Sequence, residues 1–329
     1  MPDPVDFVAR LRMESRDPGR EEALRQDRLR RMRKRTLGAG AAVALAGVIT
    51  WALVSALGER PADEPFAPGL LEEAMWPAEW PATTNMPFRG SPAAPWATSG
   101  QDIELPPAEA VGPIPSPVVG DGLRRVREFL TAADMDPGVL EGGLPTKALD
   151  LLDPGHPATA ALAEHLRNPG APNTDALEMF TRFDPESLTL ADRGLRAHGR
   201  MAYEAAPNPA ADGVARQVRI HADYTFAYAL RRTAEPQPGP TSDTEEVARV
   251  VVRRHLVLDF DPATGRLAPV EYRRRLANHD CGAAADGFVH PYFSKEAKRA
   301  HRPWPVADPY EEADDLTVGG PTCTVPSRT

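Results

Sequence analysis

The sequence predicts an α+β protein: N-terminal helices packed on a long four-stranded antiparallel curved sheet, preceded by one transmembrane helix. Three observations predict it. An uncharged run extends from Leu37 to Leu57; apolar residues recur at helical spacing after Gly120; and strict two-residue alternation takes over after Asp192. The resulting divisions are a cytoplasmic basic tail over 1–36, the transmembrane helix over 37–57, a proline-rich extracytoplasmic spacer over 58–119, the α+β domain over 120–280 and a disulfide-closed C-terminal extension over 281–329.

The 21 uncharged residues from Leu37 to Leu57 carry only Thr50 and Ser55 as hydroxyl groups. As a helix they rise roughly 31 Å, close to the thickness of a bilayer's hydrocarbon core. A signal peptide would have a shorter apolar region and a small-residue cleavage site; here a long tail comes first and no Ala-x-Ala follows. Basic residues at Arg28, Arg30, Arg31, Arg33, Lys34 and Arg35 precede the run, whereas Glu59, Arg60, Asp63 and Glu64 follow it. Basic flanks remain cytoplasmic, so the C-terminal bulk is expected outside, with membrane lipid as the partner of residues 37–57.

Charge supports that partition. The net charge of −9 divides into +4 for residues 1–36 and −13 for the rest. An acidic exterior argues against nucleic acid as a partner. The chain has two cysteines, Cys281 and Cys323, both on the outer side in this topology, where an even count favours a disulfide. His279, Cys281 and His290 match no standard zinc spacing.

Residues 59–119 contain 13 prolines, whose missing N–H groups argue against helix and sheet and for an extended spacer. Trp76, Trp80, Phe88 and Trp96 interrupt it. A pure spacer does not need them, so the stretch either wraps the folded domain or docks a partner. In "DGLRRVREFLTAADM" Leu123, Val126, Phe129 and Leu130 share a helical face, with Asp121 as the expected N-cap. A second short helix is predicted around Leu149 and Leu152. A third starts at Pro157 and stops at Asn168-Pro169-Gly170, and "NTDALEMFTRF" is a candidate fourth.

Four strands follow. Alternation turns Leu195, Ala197, Met201 and Tyr203 to one side of the first. It does the same for Val218 through Leu230 of the second, and for Val250, Val252, Leu256, Leu258 and Phe260 of the third. In the fourth, Val270, Tyr272 and Leu276 are expected inward. This order of elements, with "VREFL" and "ALDLLDP", resembles the nuclear transport factor 2-like (cystatin-like) fold, and the plan as a whole resembles membrane-anchored actinobacterial proteins such as Mce-associated proteins. The resemblance covers about residues 120–280. It implies a conical pocket between helices and sheet, and a binding or assembly role rather than catalysis.

No nucleotide-binding, zincin or hydrolase motif is present, and no cofactor is expected. His221 with Asp223 and His255 with Asp259 fall on the polar sheet face, where little shields or tunes an acid–base pair. Two sets of residues stand out instead. Arg254 points inward among Tyr224 and Tyr228, as a pocket contact or as the partner of a helix carboxylate such as Glu128 or Asp150. Arg196, Arg200, Arg219, Arg253 and Arg273 lie on the outer face, with Arg249 and Arg275 beside them. Such a face is either a cross-paired solvated surface or a grip for an acidic envelope protein or anionic wall polymer.

Overall fold

The structure is a computed structural model, and it describes residues 82–171, 175–207, 215–233, 246–293, 296, 304–311 and 323–327. The chain divides into two units, Met1–Pro65 and Phe66–Thr329, and every described residue belongs to the second. The tail, the apolar run at 37–57, Trp76 and Trp80 lie outside the described residues. Among the described residues no helix is long and apolar enough to cross a membrane.

The architecture is α+β. Helix α1 (Ser116–Asp134) starts ahead of the predicted Asp121 cap. Pro115 precedes it in an extended conformation and Pro117 sits in the first turn, where a fixed φ favours the helix and no N–H is missed. Asp121 therefore lies within the helix and pairs with Arg124. The predicted apolar face holds: Leu123, Val126, Phe129 and Leu130 are buried. Gly122 lets this helix approach the sheet, since a Cβ there would stand 3.0 Å from the Phe260 ring. Helix α2 (Pro137–Leu140) has no apolar period to announce it; Asp136 caps it by accepting the Gly138 N–H at 2.9 Å. Helices α3 (Thr146–Leu151) and α4 (Pro157–Arg167) occupy the predicted places, α4 ending at Asn168.

The candidate fourth helix at "NTDALEMFTRF" does not form over the residues described. Residues 175–183 run as turns and extended chain, because their backbone groups bond to other elements. Thr181 N–H donates to Ala133 O at 3.3 Å and Phe183 N–H to Leu140 O at 3.1 Å.

Among the described residues the sheet has six strands in the order β1-β2-β3-β4-β6-β5. Strands β1 (Leu188–Pro207), β2 (Ala215–Arg232), β3 (Ala248–Asp261) and β4 (Arg266–Ala277) pair antiparallel in sequence order. The expected four-stranded antiparallel sheet is nevertheless incomplete as a description. Strand β6 (Cys323–Pro326) joins β4 in parallel, and β5 (Val306–Ala307) joins β6 in parallel, so the sheet is mixed. A parallel neighbour needs a long connection, which the chain between Ala277 and Cys323 supplies.

Parity holds through β2 and β3 and in β1 from Leu195 to Ala206, after a register shift between Leu190 and Leu195, and it breaks in β4. Val257 lies opposite Glu271 while Leu258 lies opposite Pro269, leaving Val270 as the extra residue of a bulge and 47% exposed. Val270 is thus not inward as predicted, whereas Leu276 is buried and Tyr272 packs against the core. Pro269 is tolerated at such a position because a bulge breaks the ladder there. The same register places Arg274 opposite Arg254 on the inner face.

The proline-rich stretch is not a bare spacer from residue 82 onward. Phe88, Ala93 and Ala94 are buried on the outer face of the sheet with Ala191, Ala227, Ala229, Val251 and Ala277. Trp96 stacks on His198 at 5.3 Å and meets Tyr310 edge-on at 5.6 Å. Farther along, Ala97 bridges to Ala197, and the Tyr203 hydroxyl accepts the Glu109 N–H and donates to Pro107 O, both at 2.9 Å. These contacts cover part of the β1 edge, which would otherwise offer unpaired N–H and C=O groups to another chain. The folded region therefore begins well before the Gly120 boundary predicted.

Candidate functional site

The inner face holds the first candidate set. Arg254 is 1% exposed and its partner Asp134 is fully buried, with Nε donating to Oδ1 at 2.7 Å. Asp134 is the last residue of α1, so neither Glu128 nor Asp150 is the carboxylate that Arg254 finds. The rest of the guanidinium is occupied as well. It donates to Leu177 O at 3.1 Å, Glu178 O at 2.8 Å and Thr181 Oγ1 at 2.9 Å. Thr181 in turn donates to Asp134 at 2.7 Å, and the Tyr228 hydroxyl donates to Asp134 O at 2.9 Å.

Burial pushes the Asp134 carboxyl up, while Arg254 and Thr181 pull it down. Burial likewise raises the Tyr228 and Tyr224 phenols well above their ordinary range. Tyr224 packs over Gly199, where a Cβ would lie 2.7 Å from its ring and closer still to backbone. Arg254, Tyr224 and Tyr228 are each closed to solvent, at 1%, 2% and 0% exposure. They form a helix–sheet lock rather than the wall of an open pocket. Such a network fixes how α1 seats on β3, since a buried charge separated from its partner is costly.

The outer face holds the second set, and the structure divides it. Arg196 and Arg249 lie over the Phe88 ring at 4.6 and 5.9 Å. Arg249 donates to Pro87 O at 2.7 Å and Arg89 O at 2.6 Å, and Arg196 to Ala94 O at 3.3 Å. Arg253 is gripped by Asp223 through two bonds, at 3.0 and 2.8 Å, and donates to Glu311 O at 3.2 Å. A proline-rich chain has few N–H groups of its own to satisfy its carbonyls, and guanidinium forks supply the donors. Arg196, Arg249 and Arg253 are therefore buried staples.

The remainder stays toward solvent. Arg219 makes a bidentate pair with Asp259, both bonds 2.8 Å, which holds its guanidinium firmly charged. Arg273 is 54% exposed with Glu271 at 3.2 Å. Arg200 is exposed on β1. Cross-strand register aligns Arg200, Asp223, His255 and Arg273 in one row over four strands. His221 adjoins it, 3.3 Å from Glu204 and with its ring centroid 6.4 Å from that of His255. The row brings together Arg200 and Arg273 of the five predicted surface arginines. It sets two exposed guanidinium groups in line with the Asp223 carboxylate, which Arg253 holds; it does not pair a nucleophile with a shielded base. Among the described residues no cluster of His, Cys, Asp and Glu is arranged to hold a metal ion.

Cys281 and Cys323 stand at disulfide distance, with Cα atoms 6.4 Å apart across a separation of 42 residues. Closing a loop of that length stabilises by about 4 kcal/mol through restriction of the unfolded chain. The link also carries β6 to the end of β4. Beside it, the His279 ring faces His290, Arg274 and Asp280, and burial holds its pKa at about 4. Sequence reasoning did not single out Arg274, although it shares the inward parity of Tyr272 and Leu276, and it missed the strap contacts of Arg249. The aromatic Phe88 and Trp96 were the available signal for the latter.

Comparison of the chain with protein-family models, with curated proteins and with solved structures finds no match.

Proposed function

We propose that this chain is a non-catalytic, membrane-anchored extracytoplasmic binding or scaffold protein of the cell envelope. Residues 37–57 hold it in lipid, and the open row from Arg200 to Arg273 meets an acidic envelope protein or an anionic wall polymer. The observation that carries this reading is the division among the arginines. Arg254 on the inner face and Arg196 and Arg249 under the strap are spent on internal partners, whereas Arg200 and Arg273 remain exposed on the sheet. Guanidinium groups fixed on strands are well suited to carboxylate or phosphate recognition at low ordering cost. Helices followed by an antiparallel meander are in keeping with a nuclear transport factor 2-like scaffold of the Mce-associated type. The Asp134–Arg254 lock favours this reading over a small-ligand or enzymatic cone with Arg254 at its wall.

The address is tested directly. A tag fused after Thr329 is expected to be removed by protease added to intact spheroplasts, and chain solubilised in detergent is expected to bring its partner with it. A protected tag, or a mature protein beginning near Glu59, would overturn the proposed topology.

A further inference from the structure

Beside the paired cysteines lies a cavity of about 270 Å³. Distant parts of the chain line it: Leu177 from the stretch after α4, Arg274 from β4, His279 just beyond that strand, and Phe288 and Trp304 from the extension. Cys281 and Cys323 also line it, so one cross-link ties together the segments that build it. Phe288 is braced by Arg182, whose guanidinium lies 4.8 Å from the ring centroid and donates to Gly143 O at 3.1 Å and Gly142 O at 2.6 Å. The site is separate from the exposed arginine row and does not depend on it.

The charged side chains of the lining answer each other. Arg274 pairs with Asp175 at 2.5 Å through a terminal nitrogen, and the other Asp175 oxygen accepts the Leu177 N–H at 2.9 Å. The Arg274 Nε is buried and does not face the cavity. An anionic ligand would therefore lie beside a carboxylate and meet a guanidinium already paired, giving up its hydration for little return.

His279 is different, because it carries an unspent neutral donor. Its Nδ1 accepts the His290 N–H at 2.9 Å, so the neutral ring has its proton on Nε2. That Nε2 has no hydrogen-bond partner among the described residues, and it is not sealed from solvent. Burial, with His290 and Arg274 nearby, holds the ring's pKa at about 4, so at pH 7 it donates without being a cation. Leu177, Phe288 and Trp304 add apolar surface beside it. Such a lining recognises one acceptor oxygen carried on an apolar body. The volume falls just below the roughly 300–1,000 Å³ of drug-sized sites, so that body is about one ring in size.

We infer that this cavity binds a neutral one-ring ligand bearing a carbonyl oxygen, the oxygen on His279 Nε2–H and the ring against Phe288 and Trp304.

The test is calorimetric titration of acetophenone, ethylbenzene and sodium benzoate into the full chain in detergent at pH 7. Ala284 lines the cavity from an exposed loop position, so Ala284→Trp should close the entrance and leave the core intact. The same titrations into that variant measure partition into the micelle. Acetophenone is expected to saturate at one site per chain in wild type and to show only the partition heat in Ala284→Trp. Ethylbenzene has the shape without the oxygen and should bind about 3- to 10-fold more weakly. Benzoate should bind at least about tenfold more weakly, because its charge finds no free partner. His279→Asn keeps an acceptor for the His290 N–H and removes the Nε2 donor, so acetophenone should fall to the level of ethylbenzene. If that variant folds poorly, the comparison of the three ligands in wild type still decides. Absence of saturation, equal binding of acetophenone and ethylbenzene, benzoate binding as tightly as the ketone, or unchanged binding in Ala284→Trp would each overturn the inference.

Discussion

The two faces of this sheet use arginine in opposite ways. On the inner face Arg254 meets a single carboxylate, Asp134, inside a buried network. On the outer face Arg249 and Arg196 meet backbone carbonyls of a chain segment that cannot form regular structure, and brace the Phe88 ring. The first arrangement sets the seat of a helix. The second converts a proline-rich stretch into a layer of the domain. Because both consume their guanidinium groups, an arginine's place in the β alternation does not say whether it is available to a partner; what covers the strand does.

The comparison breaks most sharply at Asp134. Asp134→Ala leaves Arg254 buried and uncompensated, and should cost about 3–5 kcal/mol in urea unfolding. Asp134→Leu combined with Arg254→Met should cost less than either change alone, because no charge is then stranded. Additive losses would mean that the two groups are not coupled.

On the outer face, Phe88→Ala should cost about 3 kcal/mol and raise hydrogen exchange at residues 82–97, with little change at β3 amides. If exchange rose equally on both faces, the strap would not be a separate layer.

A smaller effect separates the extension from both faces. The His279 pKa falls from 6.5 to about 4 on folding, first through burial and then through His290 and Arg274. The folded state therefore holds fewer protons than the unfolded one in that window. The associated stability is complete above about pH 6.5 and is lost as pH falls toward 4, on the order of 2–3 kcal/mol. Chemical denaturation across that range should show the loss, and His279→Gln should flatten it.

Much of the fold is legible in the sequence, for reasons visible in single residues. Leu123, Val126, Phe129 and Leu130 announce α1 because 3.6-residue spacing puts all four on one buried stripe. Alternation places β2 and β3 because both faces of each strand are specified, one apolar and one charged. The misses share a different cause. Nothing local signals that Val270 bulges out of the ladder. The prolines near Phe88 advertise missing donors but not the distant Arg249 that satisfies the neighbouring carbonyls. The helical spacing in "NTDALEMFTRF" yields to partners supplied by Ala133, Leu140 and Arg254. Of the candidate sites, residue type and facing were readable, whereas occupancy by an internal partner depended on contacts far apart in the chain.

The smallest effect on stability carries the largest meaning for function. Reversing the two exposed arginines, Arg200→Glu with Arg273→Glu, should move unfolding by no more than about 0.5 kcal/mol, as surface changes usually do. The decisive measurement is the amount of partner recovered with this variant from detergent-solubilised membranes, set beside wild type and beside Arg249→Ala, whose arginine is already spent on the strap. Loss of partner in the double reversal, with retention in Arg249→Ala, is the predicted result. Full retention in the double reversal would contradict the assignment of this face as the binding surface.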